Sequence, residues 1–125
     1  MNGTDLHTFC DTNVAVYLLS GDENLAELLH GMEAKISFIT ELELLSKPQI
    51  TVAETASTKA FINQCTIVEL SPAIKKKVIE LRQRVKIKLP DEIIATSAIV
   101  MSLPLITADK QLEKIPGLDT ILILR

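Results

Sequence analysis

Apolar residues follow two kinds of pattern along the chain. Short runs rich in Ile, Leu, Val and Phe predict strands, and the segments between them repeat apolar residues at helical spacing. The predicted strands cover residues 8–11, 36–39, 66–70, 105–107 and 121–124. The predicted helices cover residues 14–19, 24–33, 41–45, 51–62, 72–85 and 89–101. Strands that alternate with helices favour an α/β fold with a parallel sheet covered on both faces.

The last predicted helix lacks a polar face. Residues 93–101 are apolar nearly all round, so we expect this helix to be buried at the centre of the domain. The length of 125 residues fits one domain over residues 1–125, and the hydrophobic fraction of 47% is sufficient for one packed core.

Charge is spread unevenly over the chain. The net charge is −3, yet residues 71–90 contain seven basic residues and one acidic residue. A basic segment on an acidic body suits a protein that meets phosphates, and a solvated helix face explains the same pattern. Four basic residues of this segment are candidates for phosphate contacts, namely Arg82, Arg84, Lys86 and Lys88.

Cysteine content and hydropathy predict a cytoplasmic protein. Cys10 and Cys65 are expected to be free thiols in a reducing compartment. No apolar run approaches the roughly 18 residues of a membrane span, and residues 1–7 lack the basic and apolar regions of a secretory signal.

Four acidic residues fall near the carboxyl ends of predicted strands or at the start of the buried helix: Asp11, Glu43, Asp91 and Asp109. Ligands of parallel α/β folds bind at the carboxyl ends of the strands. We therefore expect these four side chains to meet at one edge of the sheet, although they span almost the whole sequence.

Helix capping offers a second explanation for each acid. Asp11, Asp91 and Asp109 could each cap a helix and offset its dipole. Thr40 and Glu43 match a capping box, in which Glu43 would bond to the Thr40 amide. The set of four, rather than any single residue, favours a functional site.

The composition of this candidate site predicts a hard divalent cation. Clustered carboxylates repel one another unless a cation is bound, and Mg²⁺ or Mn²⁺ prefers oxygen ligands. His7 and His30 are isolated, so no zinc-like spacing is present. A divalent ion on carboxylates is suited to phosphodiester hydrolysis. Three polar neighbours could orient the carboxylates or merely cap helices: Thr12, Asn13 and Thr107.

Four segments resemble the successive motifs of PIN domains. Residues 9–14 (FCDTNV) look like the opening strand, and residues 36–44 (ISFITELEL) resemble the second motif. Residues 89–98 (LPDEIIATSA) are similar to the third motif, and residues 105–110 (LITADK) to the fourth. The four motifs occur in the family's order and spacing, and together they extend over nearly the whole chain.

The resemblance is to the short VapC-type toxins of toxin–antitoxin systems. It implies a PIN-like three-layer sandwich with a five-stranded, mostly parallel sheet. It also implies a Mg²⁺- or Mn²⁺-dependent endoribonuclease that forms a homodimer and is inhibited by a cognate antitoxin. In the second motif the acid lies three residues after Thr40, which selects Glu43 over Glu41. Gln111 stands where the fourth motif of relatives often carries a second acid. Asp109 is therefore the one acid that this motif supplies to the site, unless Glu113 contributes.

Two other functions fit parts of the sequence. An aspartate-based phosphatase or phosphotransferase would use Asp11 as nucleophile, but it needs a second Asp where Asn13 stands. A PIN-like interaction module without catalysis would be indicated by missing acids, and all four acids are present.

Overall fold

A computed structural model describes residues 6–125 of the chain. Residues 1–5 lie outside the described range. The prediction that residues 1–7 hold no secretory signal falls mostly on these residues. Five strands form one sheet in the order β3-β2-β1-β4-β5, and every pairing is parallel. The strands are β1 (His7–Cys10), β2 (Glu33–Ser37), β3 (Thr66–Val68), β4 (Leu105–Thr107) and β5 (Thr120–Leu122). The predicted α/β fold is confirmed.

Six α-helices and one short 3-10 helix connect these strands in the described chain. The α-helices are α1 (Thr12–Leu19), α2 (Glu23–Leu28), α3 (Phe38–Leu45), α4 (Val52–Asn63), α5 (Pro72–Arg82) and α6 (Leu89–Val100). The 3-10 helix spans Lys110–Lys114 after β4 and was not predicted by the apolar pattern. Within residues 6–125, no helix is long and apolar enough to cross a membrane.

Alternation along the central strands divides the core into two layers. Successive side chains of a strand point to opposite faces of the sheet. Cys10 and Ile106 therefore pack in one cluster, against α1 and α2. Phe9 and Leu105 pack in the other cluster, against α5 and α6. All four side chains are at most 1% exposed, so β1 and β4 are covered on both faces, as the three-layer prediction requires.

Helix α6 is the buried helix that its apolar sequence predicted. Residues 94–98 of this helix are all buried, including the polar side chains of Thr96 and Ser97. Ser97 satisfies its hydroxyl by donating to the carbonyl of Ile93 one turn earlier, at 2.7 Å. The helix carries Asp91 in its first turn and so brings that residue to the sheet edge.

The second strand and third helix begin earlier than predicted. The predicted strand at residues 36–39 is observed at Glu33–Ser37, and α3 already starts at Phe38. Ser37 causes the shift, because its hydroxyl accepts the backbone N–H of Ile39 and caps the helix. The capping box proposed for Thr40 and Glu43 is therefore wrong, since both residues lie inside α3.

Two predicted helices are shorter than their apolar patterns. Helix α2 ends at Leu28 rather than residue 33, because the chain turns through Gly31, which has a φ of 82°, and Glu33 already pairs with His7 in the sheet. Helix α5 ends at Arg82 rather than residue 85, which leaves a connecting loop at residues 83–88 before α6. Cys10 and Cys65 are free thiols in the structure.

Candidate functional site

The four predicted acids line one small pocket at the carboxyl edge of the sheet. Its volume is about 130 Å³. The lining residues come from the ends of β1 and β4 and from the starts or middles of the helices that follow: Asp11, Thr12, Asn13, Glu43, Asp91, Asp109 and Leu112. Parallel topology therefore brings together the carboxylates that sequence position keeps far apart.

Asp11 directly follows β1, and its side chain caps α1. Its Oδ1 accepts the backbone N–H of Val14 at 3.0 Å, which satisfies an otherwise free helix N–H. Its Oδ2 accepts a hydrogen bond from the hydroxyl of Thr107 on β4. The capping explanation is thus correct for Asp11, but it leaves this 7% exposed carboxylate at the pocket wall.

Thr107 connects the first and fourth motifs. While its hydroxyl donates to Asp11, its oxygen accepts the backbone N–H of Asp109 at 3.0 Å. Asp109 in turn caps the 3-10 helix by accepting the N–H of Gln111 at 2.9 Å. Thr107 is fully buried, so it fixes Asp11 and Asp109 relative to the sheet.

Thr12 connects the first motif with the second. Its hydroxyl donates to Oε1 of Glu43 at 2.6 Å and lies 2.9 Å from the hydroxyl of Thr40. Glu43 is exposed on its outer side and lines the pocket, whereas Glu41, two positions away, does not line it. Of these two glutamates the structure places Glu43 at the pocket, and its role as a metal ligand stays a prediction.

Asp91 enters the pocket from the first turn of α6 without capping that helix. The cap position is held by Lys88, which makes no side-chain capping hydrogen bond. Asp91 therefore makes no capping hydrogen bond, although its position in the first turn still lets its charge offset the helix dipole. Its carboxylate belongs to the pocket and is free to interact with the other acids.

Burial and mutual repulsion raise the pKa of two acids of this pocket, Asp11 and Asp91. Burial raises the pKa of Asp11, the hydrogen bonds from Thr107 and Val14 oppose this effect, and the charges of Asp91 and Asp109 raise it further. Burial also raises the pKa of Asp91, as do the charges of Asp109 and Glu43. The neighbouring Lys88 ammonium lowers the pKa of Asp91.

The donor set fits a hard divalent cation in chemistry. Every ionisable side chain that lines the pocket is a carboxylate, and carboxylate oxygen is what Mg²⁺ and Mn²⁺ prefer. Among residues 6–125, however, no three His, Cys, Asp or Glu side chains already converge as a metal-ligand group. The pocket carboxylates would have to rotate inward to share one ion, and their repulsion is what that ion would relieve.

The sequence of the chain places it in a known family. The family model for the PIN domain matches residues 8–118. The chain belongs to the PIN-domain family. A comparison with curated protein sequences gives no significant match.

Solved structures resemble this PIN domain over nearly its whole length. A toxin–antitoxin complex from Klebsiella pneumoniae is 31% identical with a TM-score of 0.78, covering 93% of this chain and 99% of the other. The structure of VapBC2 from Rickettsia felis was solved with a DNA fragment from the VapBC2 promoter. It is 25% identical with a TM-score of 0.82, and the match covers 94% of this chain and 98% of the other. DNA-bound VapBC from Salmonella typhimurium shares the fold at 20% identity and a TM-score of 0.80, covering 93% and 97%. These matches bear out the resemblance to VapC-type PIN domains.

The fourth motif of this PIN domain supplies one acid to the pocket, Asp109. Leu112 is buried and lines the pocket directly after Gln111, where relatives often carry a further acid. Glu113 is exposed and is not among the lining residues, so it does not replace the missing acid in this structure. Leu112 is the pocket-lining residue for which the sequence held no polar signal.

A larger apolar groove adjoins the acidic pocket of this PIN domain. Its volume is about 460 Å³, and it lies between α1, α3 and α4. Thr12 and Glu43 line both the groove and the pocket. The apolar wall of the groove includes Val16, Leu19, Leu44 and Ile50. A molecule seated in the groove would therefore touch the acidic pocket at its edge.

Proposed function

We propose that this PIN domain is a metal-dependent endoribonuclease, the toxin of a type II toxin–antitoxin pair. The observation that carries the proposal is the pocket itself. Four carboxylates from four separate segments line one cavity at the carboxyl edge of a parallel sheet. Such a cluster disfavours the apo fold through repulsion and gains stability from a divalent cation.

Asp11, Glu43, Asp91 and Asp109 are the residues that would hold Mg²⁺ or Mn²⁺. When bound, the ion supplies an activated water and stabilises charge on the attacked phosphate and the leaving oxygen. The protein holds the acids in place with two buried or half-buried hydroxyls, those of Thr107 and Thr12. Asn13 lines the exposed rim of the pocket, where an amide can bond to a substrate phosphate or sugar.

Lys88 is the basic residue that we assign to the RNA backbone beside the pocket. Its charge is close enough to Asp91 to lower the pKa of that carboxyl, and its side chain is exposed. Arg84 and Lys86 lie on the same exposed loop and extend the positive surface away from the acids. A single-stranded RNA loop suits this arrangement, because its backbone is accessible to the shallow pocket.

The phosphatase alternative is disfavoured by the surroundings of Asp11. Both carboxylate oxygens already accept hydrogen bonds, one from Val14 and one from Thr107, which makes them poorer nucleophiles. Each oxygen keeps a lone pair that a cation could bind. Asn13 stands where a second Asp is needed. A non-catalytic interaction module would cleave no RNA under any metal condition.

We further propose an antitoxin partner and a homodimer. The similar structures from Klebsiella pneumoniae and Rickettsia felis are described as a toxin–antitoxin complex and as VapBC2, which supports a cognate antitoxin for this chain. The groove between α1, α3 and α4 is a suitable seat, since its occupant would reach Glu43 and could close the pocket. The oligomeric state can be measured by light scattering.

The decisive experiment is cleavage of RNA by purified protein with and without chelator. We expect EDTA to abolish cleavage, Mn²⁺ or Mg²⁺ to restore it, and the products to carry a 5′-phosphate and a 3′-hydroxyl. Asp11→Asn, prepared identically, controls for contaminating nucleases and should be inactive. Full cleavage by metal-free protein in chelator, or equal cleavage by Asp11→Asn, would refute the proposal.

A further inference from the structure

One arginine of the basic segment is engaged inside the protein. Arg82 ends α5, and its Nη1 lies 3.0 Å from Oε2 of Glu92 in the first turn of α6. Glu92 is 1% exposed and stands directly after Asp91. The same Nη1 donates to the carbonyl of Ile87 at 3.2 Å, so one nitrogen joins the end of α5, the loop at residues 83–88 and the start of α6.

Helix α6 needs such a tie because it lacks a side-chain cap. Each of the five preceding α-helices begins with a side chain that accepts a backbone N–H: Asp11, Asp22, Ser37, Thr51 and Ser71. Lys88, at the equivalent position of α6, offers no acceptor. An uncapped first turn is the part of a helix most prone to fray. In α6 that turn carries Asp91, a wall of the acidic pocket.

We propose that Arg82 and Glu92 form a positioning pair that holds Asp91 in the acidic pocket, and that Arg82 is not an RNA ligand. This inference rests on the proposed nuclease function. Consecutive residues on a helix point about 100° apart. Anchoring Glu92 inward, against Arg82, therefore fixes the rotation of the first turn and keeps Asp91 directed at the pocket.

The pair of Arg82 and Glu92 orients the first turn of α6 and should add little to the free energy of unfolding. Oε1 of Glu92 is buried and has no hydrogen-bond partner within residues 6–125, so the carboxylate is only half satisfied. The Arg82 side chain is 46% exposed, which weakens its attraction for Glu92 through solvent screening. An ion pair of this kind is often replaceable by apolar side chains without loss of stability. What the replacement would lose is the tie between the loop and the first turn.

The test uses a double variant that removes both charges together, Arg82→Met with Glu92→Leu. Replacing both partners leaves no stranded buried charge, so the protein should melt cooperatively near the wild-type temperature. Mn²⁺ affinity, measured by the electron paramagnetic resonance of free Mn²⁺, should fall by about 10–100-fold. The kcat for RNA cleavage should fall by a similar factor, with KM nearly unchanged, because a metal site and not an RNA contact is disturbed.

Arg84→Met is the matched control. It removes one exposed positive charge two residues away, from a side chain without a carboxylate partner in the described chain. We expect it to raise KM while leaving Mn²⁺ affinity unchanged. Glu92→Leu alone is the second variant, should the double variant fail to fold, because the half-exposed Arg82 side chain stays solvated without its partner. It should lower Mn²⁺ affinity in the same direction.

The outcomes separate this inference from the proposed function. If wild type binds Mn²⁺ and cleaves RNA but the variants at Arg82 and Glu92 match it in affinity and kcat, the positioning pair is refuted. A rise in KM alone in the double variant would instead make Arg82 an RNA ligand and also refute it. If wild type neither binds Mn²⁺ nor cleaves RNA, the proposed function fails and this inference fails with it.

Discussion

The Thr12 hydroxyl lies 2.6 Å from Oε1 of Glu43 and joins residues that are 31 positions apart. A threonine hydroxyl has one proton, and here the carboxylate takes it. The contact of 2.9 Å between Thr12 and Thr40 must then be a hydrogen bond donated by Thr40. A fully buried threonine on α3 thus supports the hydroxyl that orients an acid of the pocket.

Removing the Thr12 hydroxyl should impair both stability and activity. Thr12→Val leaves the buried hydroxyl of Thr40 without its acceptor, at a cost of about 1 kcal/mol in the free energy of unfolding. It also frees Glu43 to rotate, so RNA cleavage should fall by about 10–100-fold. Thr12→Ser keeps the hydroxyl and is the matched control. Equal cleavage by wild type, Thr12→Val and Thr12→Ser would show that the contact with Glu43 has no role.

The two neighbouring glutamates of α3 should differ sharply in their effect on activity. Residues two positions apart on a helix point about 200° away from each other, so only one of the pair can face the pocket. Glu43→Gln should reduce RNA cleavage at least about 100-fold, and Glu41→Gln should leave most of it. Both substitutions remove one charge from the same helix, which makes each the control for the other. An inactive Glu41→Gln with an active Glu43→Gln would reverse the assignment.

The sequence predicted the fold and the location of the acids because both depend on strong local signals. Apolar runs marked the strands, and parallel topology then forced their carboxyl ends to one edge, where Asp11 and Asp109 lie. The hydroxyl of Thr107 was recognised as a neighbour of the acids. That it contacts Asp11, 96 residues away, follows from the pairing of β1 with β4, which local patterns do not show.

Helix boundaries were predicted less well, because several side chains compete for the same backbone groups. Ser37 and Thr40 are both acceptable caps by sequence, and the structure uses Ser37. That choice moves Thr40 inside α3, where its hydroxyl reaches Thr12 rather than a free N–H. Arg82 belonged to a basic run that predicted phosphate contacts, and only tertiary packing reveals its bond to Glu92.

Lys88 should affect RNA binding more than catalysis. A lysine that contacts one phosphate releases about one counterion when RNA binds. Lys88→Met should therefore weaken RNA binding and reduce the salt slope of log K by about 0.7 for a single-stranded substrate. Binding is measured by fluorescence anisotropy at several salt concentrations with the inactive Glu43→Gln background. Lys59→Met on the exposed face of α4 removes the same charge elsewhere, and an equal change in both variants would contradict a specific role for Lys88.

Metal binding should raise the thermal stability of the protein. Binding to the folded state alone adds roughly 2.7 kcal/mol at a hundredfold excess over the dissociation constant. For a domain of this size about 1 kcal/mol shifts the melting temperature by a few degrees, so saturating Mn²⁺ should raise it by roughly 5–10 °C. Calorimetry of wild type with and without Mn²⁺ measures the shift, and the absence of any shift would contradict a cation site.

The pH dependence of the metal-free protein isolates the contribution of Asp91. Its pKa is raised by burial and by the charges of Asp109 and Glu43, and a raised carboxyl pKa favours the fold only while the group is protonated. That stability is fully present below the unfolded pKa of about 3.9 and is lost as pH rises through the folded pKa. Asp91→Asn removes the charge without removing a cap, so the variant should melt above wild type at pH 7 by a few degrees at most.

The difference between Asp91→Asn and wild type should shrink as pH falls toward 4. In saturating Mn²⁺ it should change sign, because the ion raises the melting temperature of wild type by more than the variant gains. Asp11→Asn provides the comparison within the same pocket. It also removes a repelling charge, but the Oδ2 that accepts the Thr107 hydroxyl becomes an N–H₂ donor, and Thr107 already accepts from Asp109. This mismatch should cancel the gain, so Asp11→Asn should melt at or below wild type. If Asp91→Asn instead melts below wild type at pH 7, with no dependence on pH or Mn²⁺, repulsion among the four acids is not what destabilises the metal-free pocket.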